Sequence, residues 1–296
     1  MRNFLLGTDW WDDCDDAVAV RLLARAHAKG EIQLKGIEIN ACMPESVASL
    51  CGFLHAEGVA DIPVGIDLAA TDFGGNPPYQ KRLAAEHPTP FSNQNAPNNV
   101  ALFRQILSQS QEPVELLEIG FLQGLAALLE SEGDAFSPLN GVELVKQKVA
   151  KVWIMAGKWD EPLGLENNFA RNPRSRKGAA TVCQLCPVPI TFLGFEVGES
   201  VLTGGQLPNG DVLHQILCDY NTPNGRCSWD PMLVQMAVVG DEATAGYGVV
   251  RGWASVDEVT GGNTFQIDPN GGHAYVEKQH PDAYYAEKIN VLIGAE

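Results

Sequence analysis

Six short apolar runs, Phe4–Leu6, Leu34–Ile39, Ile62–Val64, Val114–Ile119, Val149–Met155 and Ile190–Phe195, alternate with six amphipathic stretches, Asp16–Lys29, Glu45–Glu57, Asn99–Ser108, Leu122–Glu130, Ser175–Leu185 and Asp230–Val239. Apolar runs of this length read as buried strands, and the longer stretches as helices with one apolar face. Parallel strands need a crossover of a dozen or more residues, which a helix supplies. The pattern therefore predicts an α/β fold with an open, mostly parallel, Rossmann-like sheet and helices on both faces. Residues 1–296 are expected to form a single domain, because none of the irregular stretches reads as a boundary. Ala70–Asn98 is too long and proline-rich for a turn and is expected to be a mobile functional loop. Further along, the sequence predicts a short helix around Val212–Cys218, a β excursion over Tyr247–Gln266 and a last helix near Asp282–Leu292.

Ligands of such sheets sit beyond the carboxyl ends of the strands. The first strand here delivers its chain directly into Thr8-Asp9-Trp10-Trp11-Asp12-Asp13-Cys14-Asp15-Asp16. One or two of these acids can cap the helix that follows. Five carboxylates within eight residues, however, repel one another and hold their protons unless a cation compensates them. A hard divalent cation is the natural partner, and calcium, which accepts irregular shells of oxygen ligands, fits better than magnesium in a chain without a phosphate cradle. A solvated acidic turn is the bland alternative.

The remaining composition narrows the partners. With 20 basic and 37 acidic residues the net charge is −17, which disfavours nucleic acid and anionic membranes and leaves small molecules and cations. No signal-peptide core or membrane span is seen, so a soluble cytoplasmic protein is expected. Seven cysteines without a dense framework read as reduced thiols, and Cys183 and Cys186 as two positions on one apolar helix face rather than a zinc or redox pair.

Taken together, five segments resemble the inosine/uridine-preferring nucleoside hydrolase family. Thr8-Asp9 through Asp15-Asp16 is similar to its N-terminal motif, in a longer variant with two extra residues before the aspartate pair. Gly120-Phe-Leu-Gln-Gly124 resembles its Gly-x-Leu-Thr-Asn segment, Met155-Ala-Gly157 its Met-Gly-Gly, and Glu166-Asn-Asn168-Phe-Ala-Arg-Asn-Pro173 its Glu-Phe-Asn-x-x-x-Asp-Pro. Ser228-Trp-Asp230-Pro resembles the segment that supplies the last metal carboxylate. The resemblance spans residues 1 to about 235.

It implies a calcium-dependent hydrolase that splits the N-glycosidic bond of a ribonucleoside, assembled as a homo-oligomer, a dimer or tetramer. The implied calcium ligands are Asp9, Asp16, Asp230 and the backbone carbonyl of Gln123, with Asp9 also the general base. Asp15 would hold the ribose 2′ and 3′ hydroxyls, Glu166 and Asn168 the other side of the sugar, Met155 its underside, and Asn40 one more hydrogen bond. Asp160 stands near where many relatives carry a sugar-binding asparagine, and Trp229 replaces a histidine beside the departing base. Gly7 stands where many relatives carry an aspartate. Trp10 and Trp11 would add aromatic surface near the site, and Cys14 could face the sugar or pack inertly. For the leaving group the sequence leaves stacking, solvent, or a loop residue such as His87, Tyr79 or Arg226. Two alternatives stay open: another carbohydrate conjugate as substrate, or a non-catalytic calcium-dependent sugar- or nucleoside-binding protein.

Overall fold

The computed structural model describes residues 1–294. Its strands are β1 (Arg2–Thr8), β2 (Ile32–Ile39), β3 (Val64–Ile66), β4 (Val114–Glu118), β5 (Val149–Met155), β6 (Ile190–Leu193), β7 (Leu202–Thr203), β8 (Arg226–Cys227), β9 (Tyr247–Val256), β10 (Asn263–Ile267) and β11 (His273–Lys278). The helices are α1 (Asp15–Ala28), α2 (Ser46–Ala56), α3 (Gln80–Glu86), α4 (Asn99–Gln109), α5 (Gln123–Glu130), α6 (Gly141–Lys148), α7 (Asn167–Ala170), α8 (Pro173–Leu185), α9 (Phe195–Gly198), α10 (Val212–Asp219), α11 (Trp229–Val239), α12 (Glu242–Ala245) and α13 (Asp282–Ile293).

Nine strands form one sheet in the order β10-β9-β11-β6-β5-β4-β1-β2-β3. Every pairing from β11 to β3 is parallel, and β9 pairs antiparallel with both β11 and β10. Strand β1 lies in the parallel part and is buried on both faces after its first residue, as continuous apolar runs of parallel sheets are. Its side chains alternate between two cores: Phe4 and Leu6 pack with α1, α2, α11 and α13, and Leu5 packs with α4, α5 and α8. The expected mostly parallel sheet between helical layers is thus the architecture found.

The boundaries differ for local reasons. The third strand begins at Val64 rather than Ile62, because Pro63 has no N–H for the ladder and contributes only its carbonyl, to Ile37. Helix α8 begins two residues before Ser175, with Pro173 in its first turn and Asn172 capping it reciprocally with Ser175. Phe195 leaves the strand that the apolar run predicted and opens α9, its N–H bonded to the Gly157 carbonyl. The stretch Ala70–Asn98 carries α3, and the C-terminal excursion adds β11 between β6 and β9.

Gly7 sits in register with Glu38 on β2 and with Glu118 on β4. Both glutamates are buried, and a Cβ on Gly7 would overlap Glu118 Oε2. Replacing Gly7 by alanine is therefore expected to cost about 1–3 kcal/mol of stability through overpacking, read as a lower urea midpoint at unchanged slope. An unchanged midpoint would mean that Glu118 moves away freely.

Candidate active site

The site is built from the turn after β1. Trp10 adopts φ 43°, a left-handed conformation unfavourable for a bulky residue. Its side chain fixes the turn: the indole is fully buried, packs against Phe53 and Tyr79, and donates to Ser49 Oγ at 2.9 Å. The Trp10 N–H reaches Thr8 Oγ1 at 3.1 Å and Asp16 Oδ1 at 3.3 Å, while the Thr8 hydroxyl donates to Asp16. From the stretch Ala70–Asn98, Gln80 Nε2 donates to the Trp10 and Trp11 carbonyls, and the Tyr79 hydroxyl to that of Asp13. The acidic turn is thus held from three sides.

Beyond the strand ends lies a cavity of about 230 Å³. Asp9, Asp13, Asp15, Asp16 and Asp230 line it together with Met155, Glu166, Asn168, Ile119 and Asn167. Phe195, Arg226 and Trp229 complete the lining. Asp15, Asp16 and Asp230 each offer a carboxylate oxygen, all within 4.8 Å of one another. Helix α11 packs on α1, and the Asp230 N–H donates to Asp15 Oδ2 at 3.2 Å.

Burial sets the electrostatics. It holds the Asp9, Asp15 and Asp230 carboxyls well above the usual range, and the neighbouring aspartates push them further up. Burial raises Asp16 to about 6, with the Thr8 hydroxyl working against it. Glu166 is lifted by burial to about 7, although its oxygens accept N–H bonds from Gly157, Asn168 and Phe169. Among the described residues Arg226 is the one cation lining the cavity, and Asp13 takes its Nε at 2.9 Å and Nη2 at 2.5 Å. Protons or an added cation must neutralise the rest. The donors are hard carboxylate oxygens of the kind that hold calcium or magnesium, so the residues present fit such an ion.

Of the residues singled out in the sequence, Asp9, Asp15, Asp16, Met155, Glu166, Asn168, Trp229 and Asp230 come together around this cavity. Asn168 Nδ2 donates to the Met155 carbonyl at 2.9 Å, so one residue positions the other. Asn40 and Gln123 do not line the cavity: Asn40 Oδ1 accepts the Phe121 N–H at 3.0 Å, and Gln123 Nε2 donates to the Asn40 carbonyl. Asp160 also lies outside. Gly157, at φ 85°, turns the chain after β5 toward the sheet edge, where Asn263 binds the Lys158 backbone, and Asp160 pairs with Lys158 in solvent. Asp160→Asn is accordingly expected to leave turnover within about twofold of the parent, since exposed ion pairs contribute little; a tenfold loss in steady-state assays would place Asp160 at the substrate.

Trp10 and Trp11 are core residues and add no surface to the cavity; Trp11 stands with Phe73 and Phe121 in a separate small cluster. Cys14 is likewise buried packing. Cys183 and Cys186 are free thiols pushed up by burial to about 12 and 11, away from a reactive state. Sequence reasoning missed Phe195, Ile119, Asn167 and the Asp13–Arg226 pair. Phe195 and Ile119 each ended an apolar run, a signal that they sit at strand tips; nothing in the sequence joined Asp13 to Arg226.

Neither a protein-family model nor a curated protein sequence matches the chain. Solved structures do. A plant nucleoside hydrolase is 16% identical, covers 100% of this chain and 99% of its own, and superposes with a TM-score of 0.72. A purine-preferring ribonucleoside hydrolase from Gardnerella vaginalis is 15% identical, with 99% and 98% covered and a TM-score of 0.72. The inosine-uridine preferring nucleoside hydrolase from Bacillus anthracis is 16% identical, with 99% of each chain covered and a TM-score of 0.64. The similarity runs from one end of the chain to the other, and the fold of this protein is that of the nucleoside hydrolases.

Proposed function

We propose that this protein is a calcium-dependent hydrolase that splits the N-glycosidic bond of a ribonucleoside or a closely related riboside. The observation that carries the reading is the buried Asp15, Asp16 and Asp230 cluster in the lining of a cavity that Met155, Glu166 and Asn168 also line. Asp9 lines the same space. A calcium ion held there supplies positive charge that acidifies an adjacent water and leaves the carboxylates ionised.

In this reading Asp9 takes the proton of the attacking water at a carboxylate oxygen. Asp15 accepts hydrogen bonds from the ribose hydroxyls, and Met155 packs under the ring. Glu166 and Asn168 fix the wall on which the ring flattens, and the many acids favour the positive charge that builds on the sugar as the bond breaks. The same acids disfavour a phosphorylated sugar, so the substrate is a nucleoside rather than a nucleotide. Trp229 closes the base side with its ring stacked on Phe195, centroids 5.3 Å apart.

Among the described residues no histidine lines the cavity. That favours a second reading, in which the bond cleaved belongs to a glycoside whose leaving group departs without a proton. Reducing-sugar release from purine and pyrimidine ribosides and from an activated aryl riboside, with calcium and with a chelator, separates the readings. Release from nucleosides that is lost with chelator supports the first; release from the aryl riboside alone supports the second; none at all, with calcium bound, leaves a binding protein.

For location we propose the cytoplasm, supported by seven free cysteines. No helix among the described residues is long and apolar enough to cross a membrane. A dimer or tetramer, implied by the resemblance, is part of the same proposal.

A further inference from the structure

A base leaving C1′ takes both electrons of the glycosidic bond, and the charge that collects on it needs a hydrogen-bond donor. The sequence offers His87, Tyr79 and Arg226. His87 does not line the cavity, and its backbone packs over Gly52. Tyr79 is fully buried and its hydroxyl proton is committed to the Asp13 carbonyl at 3.0 Å. Arg226 does line the cavity.

The setting of Arg226 is that of a held donor. Its guanidinium carbon lies 5.1 Å from the ring centroids of both Tyr220 and Trp229. Asp13 takes Nε and Nη2, which leaves Nη1 without a partner among the described residues. Trp229 cannot supply the proton itself, because its Nε1–H is committed to the Phe195 carbonyl at 2.7 Å. With Phe195 stacked on Trp229 and the guanidinium lying over that ring, Arg226 is fixed in the cavity lining as a charged donor.

We propose that Arg226 is the leaving-group residue of this site, its Nη1–H donating to a carbonyl oxygen of the departing base, and that the protein accordingly selects nucleosides whose base carries such an oxygen. This rests on the hydrolase reading above. The C1′–N bond breaks with both electrons going to the base, the water oxygen bonds to C1′, and the water proton goes to Asp9. The charge on the base is delocalised onto its carbonyl oxygen, which Arg226 stabilises without giving up a proton, since guanidinium does not deprotonate in proteins. The base then takes a proton from solvent. Because guanidinium is a donor only, the carbonyl oxygens of uracil and hypoxanthine can accept from it, and the exocyclic amine of adenine, itself a donor, cannot.

The test compares kcat/KM for uridine, inosine, adenosine and 4-nitrophenyl riboside, whose nitrophenolate leaves without a donor, in the parent protein, Arg226→Ala and the Asp13→Asn/Arg226→Met double variant, all loaded with calcium. The expected result is that the parent prefers uridine and inosine over adenosine. Both variants should lose roughly 10²–10³-fold on uridine and inosine, the usual cost of removing one such donor, and only a few-fold on the nitrophenyl riboside. The ratio between substrates within one preparation is insensitive to the fraction folded, and the double variant leaves no unpaired carboxylate behind. Equal losses on nucleosides and nitrophenyl riboside, or no loss on either, would overturn the role of Arg226 while leaving the hydrolase reading intact. A parent protein silent on every riboside would overturn both.

Discussion

Asp9→Ala is expected to lower the turnover of the best riboside substrate about 10²–10⁴-fold, the range that a positioned general base contributes. Asp9 is 7% exposed and follows the tip of β1, where the Trp10 turn rather than a helix sets its place. Burial and then the charges of Asp16, Asp13 and Asp15 hold its carboxyl well above the usual range. An ionised Asp9 in the working enzyme is therefore a conditional state, and the activity should rise with pH as the site gives up its protons. Asp9→Asn is the sharper test, because the amide keeps the size and cannot accept the proton. It also removes one charge from a repelling cluster, so the calcium-free variant should melt no lower than the parent. A loss of less than tenfold in both variants, at saturating calcium, would remove Asp9 from the base role. Loss of activity together with collapse of the fold would show as a lower melting temperature, which the asparagine variant is chosen to avoid.

Calcium is expected to raise the melting temperature by an amount that grows with pH. The native state holds protons that the unfolded chain would release: Asp16 is raised by burial to about 6 and Glu38 by burial to about 7, and Asp9, Asp15, Asp230 and Glu118 are raised as well. A carboxyl whose folded pKa exceeds its unfolded value stabilises the fold fully below the unfolded pKa, near 4, and loses that contribution as pH rises through the folded value. For a shift of about two units the loss is roughly 3 kcal/mol per group. Without calcium the protein should therefore weaken steadily from about pH 5 to pH 8.

A cation competes with those protons for the same oxygens, so calcium binds more tightly and stabilises more at the upper end of that range. At a concentration 100-fold above its dissociation constant the gain is about 2.7 kcal/mol, or roughly 4 °C in a chain of this size. Glu118→Gln separates the two sources, because it relieves the buried pair over Gly7 and leaves the aspartates alone: the calcium-free pH slope should flatten while the calcium shift persists. A melting temperature indifferent to calcium at pH 8 would mean that the aspartate cluster keeps its protons and binds no such ion.

The alternation of apolar and amphipathic runs fixed the class of fold because each run can bury its surface in only one kind of partner: β1, β4 and β5 carry the apolar runs Phe4–Leu6, Leu116–Leu117 and Val152–Met155, which are buried on both sides of the strand and so must lie inside a sheet covered on both faces. The acidic turn was legible for a related reason, since five charges cannot crowd a strand tip without a ligand or a shared proton. What the sequence could not reveal was distance. Asp230 lies more than two hundred residues from Asp15, and only the packing of α11 on α1 brings its N–H to that carboxylate. Arg226 and Asp13 likewise meet only in the tertiary structure, as do Trp229 and Phe195 through the packing of α11 on α9. Asp160, close in sequence to Met155, is carried away by one glycine turn, while Trp10, beside Asp9, is turned into the core. Local pattern determined which segments are strands and helices and which strand end is acidic, because those depend on neighbours a few residues away. Which side chains share the cavity was decided by tertiary packing, because the direction of a side chain after a turn depends on what the rest of the chain places against it.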